Sequence, residues 1–198
     1  IYFRDEHEMP ELELKALDLC KGKVLDVGAG VGSHALILQK RGFDITGMDI
    51  SASAVTIMQQ RGLKKAIEGN ILNYKVPNGD KKFDTLLFMM NGIGLTGSLP
   101  GLKAFLKQVK NLINKDGQLV FDSSDLSYLY LEIPFPESGY FGEINFRYEY
   151  KSIKGNWFKW IYVDQKTLID IAKTTGWAAE IIFEDDSDQY LARLTRVD

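Results

Sequence analysis

The sequence is poor in the residues that build cross-links and metal sites. One cysteine, Cys20, and two histidines stand among 198 residues. A lone cysteine excludes an internal disulfide and suits a reducing cytoplasm, and two distant histidines beside it do not make a metal site. No run approaches the ~20 apolar residues of a membrane span, and no signal peptide is read at the start. The chain opens at Ile1 rather than methionine, which leaves room for an upstream piece. Basic charge is not in excess: 24 Lys and Arg stand against 27 Asp and Glu, a net charge of −3. No global field therefore draws the chain to nucleic acid or to an anionic membrane. Internal repeats and low-complexity tracts are lacking too. What is present is 45% apolar residues, enough for one sizeable core and a single domain over residues 1–198.

The chain reads as strands alternating with helices. Residues 1–22 form an N-terminal segment and a helix over about 10–20, with Pro10 suited to a first helical position. Lys23–Val27 is an apolar strand, followed by a helix over about 32–41. Phe43–Met48 is a second strand ending in Asp49, and Ser51 caps a helix through Gln60. Lys64–Glu68 is a short third strand. Phe83–Met90 is apolar almost throughout, as strands buried on both faces of a parallel sheet are. A helix over about 99–114 and a turn at Asp116-Gly117 lead to a fifth strand, Gln118–Asp122. Residues 123–163 change texture: a loop, then Phe146–Lys151 and Trp157–Val163 alternating with period two about a turn at Gly155-Asn156, which predicts a β-hairpin. A helix capped by Asp164 and two strands, Trp177–Glu184 and Gln189–Arg196, close the chain. This alternation implies a doubly wound α/β sheet with right-handed crossovers.

The stretch that organises the rest follows the first strand: Asp26-Val27-Gly28-Ala29-Gly30-Val31-Gly32. A strand, a glycine turn and a helix place backbone N–H groups and a helix N-terminus beside a ligand. A dinucleotide site wants G-x-G-x-x-G, and here the third glycine comes one residue early. With an acidic residue two positions before the first glycine, the pattern resembles motif I of the class I S-adenosylmethionine-dependent methyltransferases. The resemblance runs from Lys23 to Thr195. It implies a Rossmann-like, seven-stranded, mostly parallel sheet with an antiparallel last strand, and here a β-hairpin insertion after strand 5. It also implies S-adenosylmethionine as cofactor and a methyl transfer by in-line displacement.

Carried over position by position, the resemblance places Gly28, Ala29 and Gly30 along the methionine part of the cofactor. Asp26 matches the acid that reaches the amino group, and Asp49 the one that accepts from both ribose hydroxyls. Ile50 would pack on the adenine. Asn70 stands where the family often has an aspartate, so it would accept from the adenine amino group without charge assistance, with Ile71 adding packing and its N–H. Met90 and Asn91 occupy the position that faces the transferred methyl. DNA methyltransferases of the adenine and N4-cytosine kind follow that position with Pro-Pro and an aromatic, whereas this chain has Gly92-Ile93-Gly94.

No catalytic residue is assigned. The cofactor supplies an activated carbon, so alignment carries most of the rate. A base is needed only for a protonated nucleophile; Asp122, Asp125 and Glu143 are the carboxylates near the binding edge. His34 lies just inside a helix, and Tyr2, Arg4 and His7 could lie over the cofactor. The aromatics of 140–162 serve cross-strand or dimer packing or contact substrate, and no basic residues run in step with them as a nucleic-acid track requires. The reading is a cytoplasmic enzyme methylating oxygen or nitrogen of a small-molecule substrate, with pairing to a second copy open. Its rivals are a nucleotide-dependent oxidoreductase, which lacks the sixth-position glycine, and a module that binds the cofactor without turnover.

Overall fold

The computed structural model describes residues 3–197. After a short 3₁₀ turn at Glu6–Glu8, the chain forms α1 (Glu11–Leu19), β1 (Lys23–Val27), α2 (Ser33–Lys40), β2 (Asp44–Asp49), α3 (Ala52–Gln60), β3 (Ala66–Glu68), β4 (Phe83–Phe88), α4 (Leu99–Gln108) and β5 (Ile113–Ser124). Then come β6 (Glu143–Phe146), β7 (Glu149–Tyr150), β8 (Ile153–Lys154), β9 (Phe158–Ile161), α5 (Gln165–Thr175), β10 (Trp177–Glu184) and β11 (Gln189–Arg196). Seven strands join in the order β10-β11-β5-β4-β1-β2-β3. Strands β1 to β5 pair parallel, while β11 runs antiparallel to both β5 and β10. This is the Rossmann-like topology the resemblance implies.

Period-two alternation assigns the two faces. Leu25, Leu86, Phe88, Leu119 and Phe121 pack with Leu102 and Phe105 of α4 and Leu168 and Ile171 of α5. Val24, Leu87 and Val120 point the other way, onto Leu17, Leu38 and Met58 of α1, α2 and α3. Trp177 is fully buried and its Nε1 donates to the Leu106 carbonyl at 2.8 Å. Cys20 follows α1 in the second layer, its Sγ 3.5 Å from the Ala16 carbonyl. Burial first, then the nearby Asp26 carboxylate, pushes its thiol up to about 12.

The central strands stand close to where the spacing predicts, and several boundaries move. Pro10 is the N-cap of α1 rather than its first residue. The fourth strand ends at Phe88, because Met90 and Asn91 both take left-handed backbone (φ 59° and 56°). The helix expected over 99–114 stops at Gln108, and β5 begins at Ile113. Asp116-Gly117 is therefore no turn between elements. It lies at an irregularity where the β4–β5 register jumps from Phe83↔Ile113 to Thr85↔Gln118, which absorbs the extra residues as a bulge does. The hairpin expected from Phe146–Lys151 and Trp157–Val163 exists, but its first arm begins earlier, at Glu143, and its tip is Lys151-Ser152, between paired Tyr150 and Ile153, not Gly155-Asn156. Residues 155–157 instead interrupt the returning arm, so β6 pairs β9 as a separate ribbon.

Candidate active site

Strand order reverses between β1 and β4, the switch point where the carboxyl ends of a parallel sheet open a crevice. The loops after β1, β2, β3 and β4 meet there. Gly28, Gly30 and Gly32 all adopt positive φ (71°, 56° and 82°), conformations glycine reaches without steric cost. Gly28 and Ala29 donate N–H bonds to the Met48 carbonyl (2.9 and 3.0 Å), which ties the turn to the end of β2. A Cβ on Gly28 or Gly30 would meet nothing within 4 Å, so the turn presents bare backbone to open space.

Two cavities share that turn. One of about 710 Å³ is lined by Gly28, Asp49, Ile50, Asn70 and Ile71. The other, about 280 Å³, is lined by Arg4, Asp26, Ala29, Gly30, His34 and Met90. Gly28, Leu95, Tyr148 and Trp160 line both. The site residues expected from the sequence thus line one or both of these adjoining cavities, with one exception. Asn91 lines neither cavity: it is buried, its Nδ2 donates to the Ile161 carbonyl at 3.2 Å, and its own carbonyl accepts from Trp160 Nε1 at 3.1 Å.

Asp49 closes β2 with both oxygens employed, Oδ2 accepting from Gly30 N–H and Oδ1 from Ser51 N–H, each at 2.9 Å. Each carboxylate oxygen retains a further acceptor position. Ile50 is 74% exposed at the cavity mouth, whereas Ile71 is buried beneath it. The Asn70 Oδ1 accepts from Leu72 N–H at 3.0 Å in a local turn, and the side chain is exposed.

Asp26 is 1% exposed, and its Oδ2 finds no hydrogen-bond partner among the described residues. Burial pushes this carboxyl up to about 6; the His34 charge and the Ala35 N–H hold it from going further. Beside it lies a charged cluster that the sequence only half revealed. Arg4 Nη2 binds both oxygens of Glu13 (2.9 and 2.8 Å), and His34 Nε2 lies 2.7 Å from Glu13 Oε2. Burial favours neutral Glu13, yet His34 and Arg4 outweigh it and lower its pKa. Burial likewise opposes a charged His34, and Glu13 and Asp26 overcome it, raising that pKa. Glu13 was the missed residue. Its signal was position: it sits four residues before Leu17 and beside Leu12, a carboxylate within the apolar stripe of α1.

The other carboxylates considered as bases carry structural bonds. Asp122 is fully buried; its Oδ2 accepts from Asn91 N–H (2.9 Å) and Gln189 Nε2 (2.8 Å). Burial raises it to about 6 against those two bonds. Asp125 Oδ1 accepts from Ser127 N–H and Glu143 Oε1 from Leu99 N–H. His7 is exposed, and Tyr2 lies outside the described residues. Among the described residues no cluster of three or more His, Cys, Asp or Glu could hold a metal, and no helix is long and apolar enough to cross a membrane.

A methyltransferase-domain family model matches residues 4–180. The chain belongs to the class I S-adenosylmethionine-dependent methyltransferases. Such a methyltransferase from Bacteroides fragilis, solved with S-adenosyl-L-homocysteine, matches with a TM-score of 0.87 and 42% identity, over 100% of this chain and 81% of that one. A demethylmenaquinone methyltransferase of Tropheryma whipplei is 30% identical over 108 residues, 54% of this chain and 44% of that protein. A 23S rRNA uracil C5-methyltransferase of Pyrococcus horikoshii is 28% identical over 90 residues, 44% of this chain and 22% of that protein. The stretches matched in these curated relatives are less than half of their lengths.

The residues of this site fit the family's cofactor. S-adenosylmethionine carries an ammonium at one end and a ribose and adenine at the other. The site offers a buried carboxylate oxygen without a partner at Asp26, a second carboxylate at Asp49, and glycine backbone open to the volume between them.

Proposed function

We propose that this chain transfers a methyl group from S-adenosylmethionine to an oxygen or nitrogen of a small-molecule acceptor. The observation that carries the reading is the partnerless, buried Oδ2 of Asp26, a residue of the smaller cavity, which shares Gly28 with the larger cavity lined by Asp49. When bound, the cofactor supplies a methyl group on a sulfonium, an already activated carbon.

In this reading the chain's own residues bind and align. Asp26 takes the ammonium and Asp49 the ribose hydroxyls, while Gly28, Ala29 and Gly30 let the backbone approach the methionine part. Ile50 and Ile71 flank the adenine, with Asn70 at its rim. Met90 marks the end where the methyl is presented, and Asn91 supports that end from behind by fixing the Ile161 carbonyl. Tyr148 and Trp160 lie over both cavities and exclude water. Residues 123–163 form the acceptor region of one methyltransferase domain. With Cys20 its one cysteine, the enzyme belongs in the cytoplasm, alone or as a homodimer.

The test is calorimetric titration with S-adenosylhomocysteine and, in parallel, NADH, on the native protein and on Asp49→Ala. Binding of the first, lost on substitution, supports the reading. A preference for NADH returns the glycine turn to a dinucleotide site, and binding without turnover on any acceptor leaves a sensing module.

A further inference from the structure

The β6–β9 ribbon roofs more than the cofactor cavities. Its cross-strand pairs Ile144↔Trp160 and Phe146↔Phe158 place four side chains on one face. The β9 members, Phe158 and Trp160, line the cavities over the glycine turn. The β6 members, Ile144 and Phe146, line a separate compartment of about 330 Å³. Its other walls are Ser124 at the end of β5, Leu126, Tyr128 and Leu129 from the segment after it, Tyr162, and Ser187 of the β10–β11 turn.

Chemistry limits what can occupy it. None of the residues lining the compartment is charged; it is bounded by three aromatic rings, two serine hydroxyls and aliphatic carbon. The nearby cations are engaged elsewhere, Lys159 on Glu143 and Arg147 against the Trp157 ring. Asp122 lies close enough that burial, then Tyr128 and then Asp122, raise the Tyr162 pKa. An anion placed here would be desolvated against a carboxylate with no counter-charge. Behind the ribbon lie Asn91 and Asp122, joined by the Asn91 N–H to Asp122 Oδ2 bond and lining none of the three cavities. The ribbon is held on either side of Tyr162, through Asn91 Nδ2 to the Ile161 carbonyl and Val163 N–H to Ser123 Oγ.

We propose that this compartment seats the methyl acceptor, and that the acceptor is a neutral, planar aromatic molecule bearing a hydroxyl or amine. The inference rests on the methyltransferase reading above. Aromatic walls favour a flat apolar body, the methyltransferase reading requires a hydroxyl or amine on it to receive the methyl, and the uncharged lining excludes carboxylates and phosphates. A polynucleotide, whose affinity is carried by contacts to phosphate, finds no cation in this lining.

The probes are naphthol, naphthylamine and naphthoate, matched in ring size, together with a short oligouridylate. Each is titrated calorimetrically into protein with and without saturating S-adenosylhomocysteine. Naphthol and naphthylamine are expected to bind at least about tenfold more tightly than naphthoate. Leu129→Trp, which fills the compartment, is expected to weaken naphthol by about tenfold or more while S-adenosylhomocysteine affinity holds. Ser187→Lys, on an exposed turn, is expected to reverse the order in favour of naphthoate, and serves if the tryptophan variant does not fold. Equal binding of naphthoate to the native protein, or naphthol binding indifferent to both variants, overturns the proposal. Displacement of naphthol by oligouridylate overturns it in favour of an RNA acceptor. Loss of S-adenosylhomocysteine binding with the naphthol pattern intact instead removes the methyltransferase reading and leaves a pocket for neutral aromatics.

Discussion

Asp26→Asn is expected to stabilise the cofactor-free protein and to weaken S-adenosylhomocysteine binding in the same molecule. The Asp26 carboxyl titrates at about 6 in the fold, against 3.8 for the ordinary group, chiefly because it is buried. A carboxyl whose folded pKa is raised opposes folding wherever it must ionise. That cost is absent below the ordinary value, grows as pH rises from about 4 to about 6, and is complete above it. A shift of about two units corresponds to ~3 kcal/mol. Asparagine removes the charge and keeps an oxygen for the Ala35 N–H, but puts an amide N–H₂ where Oδ2 stood partnerless, returning ~1–2 kcal/mol of the gain. His34 also loses a favourable neighbour. The net expectation is a stabilisation of ~1–2 kcal/mol near pH 8, or about 2–8 °C in Tm for a chain of this size. Near pH 4 the native carboxyl is largely neutral and the gain should vanish. Affinity for S-adenosylhomocysteine should fall by about tenfold or more, as expected for losing a charge-assisted bond to an ammonium. Ligand-free thermal melts at the two pH values, paired with calorimetry, decide it. A lower Tm at pH 8, or an equal shift at both pH values, would refute the argument.

Three further substitutions probe other parts of the site. Asp49→Ala should cost ~1.5–3 kcal/mol of cofactor affinity, read by calorimetry, because a charged acceptor is removed. Gly94→Ala places a Cβ 2.0 Å from Trp160 Nε1; overpacking of this kind costs ~1–3 kcal/mol, and a shift in tryptophan fluorescence should report the ribbon lifting from Asn91. His34→Gln tests the Arg4–Glu13–His34 cluster through its pH dependence. The raised His34 pKa contributes stability that is fully present below its ordinary value of 6.5 and is lost as pH rises through the folded value. The Tm gap between native protein and variant should therefore be wide near pH 6 and narrow as the solution becomes alkaline, and a gap that widens with pH refutes the pairing.

How much was legible depended on whether local chemistry or distant packing set each feature. The glycine turn, Asp49 and the Ser51 cap were readable because φ preferences, strand ends and capping oxygens act within a few residues. The helix capped by Asp164 and closed by Gly176, and the two strands after it, stand where they were read. Boundaries set by partners were not readable. Ile113 joins β5 because Phe83 pairs with it, and the hairpin turns at Lys151 although Gly155-Asn156 has the better turn composition. The site followed the same division. Asp26 and Asp49 lie near the ends of β1 and β2, where the motif and the strand reading placed them. Glu13 acquires its partners from residues nine positions before it and twenty-one after, which no local pattern encodes, and Asn91 turns its amide to a ribbon seventy residues away.

The buried thiol of Cys20 has a practical consequence. Thiol reagents attack the thiolate, and a group pushed up to about 12 supplies almost none at neutral pH. Alkylation can then proceed only through molecules whose first helix has momentarily lifted off the sheet, so the modification rate counts those openings. The native protein thus carries an internal clock for fraying of the helix whose Glu13 holds Arg4 at the cavity. A ligand that slows the clock reports, without any engineered label, how strongly occupancy of the site clamps that helix in place.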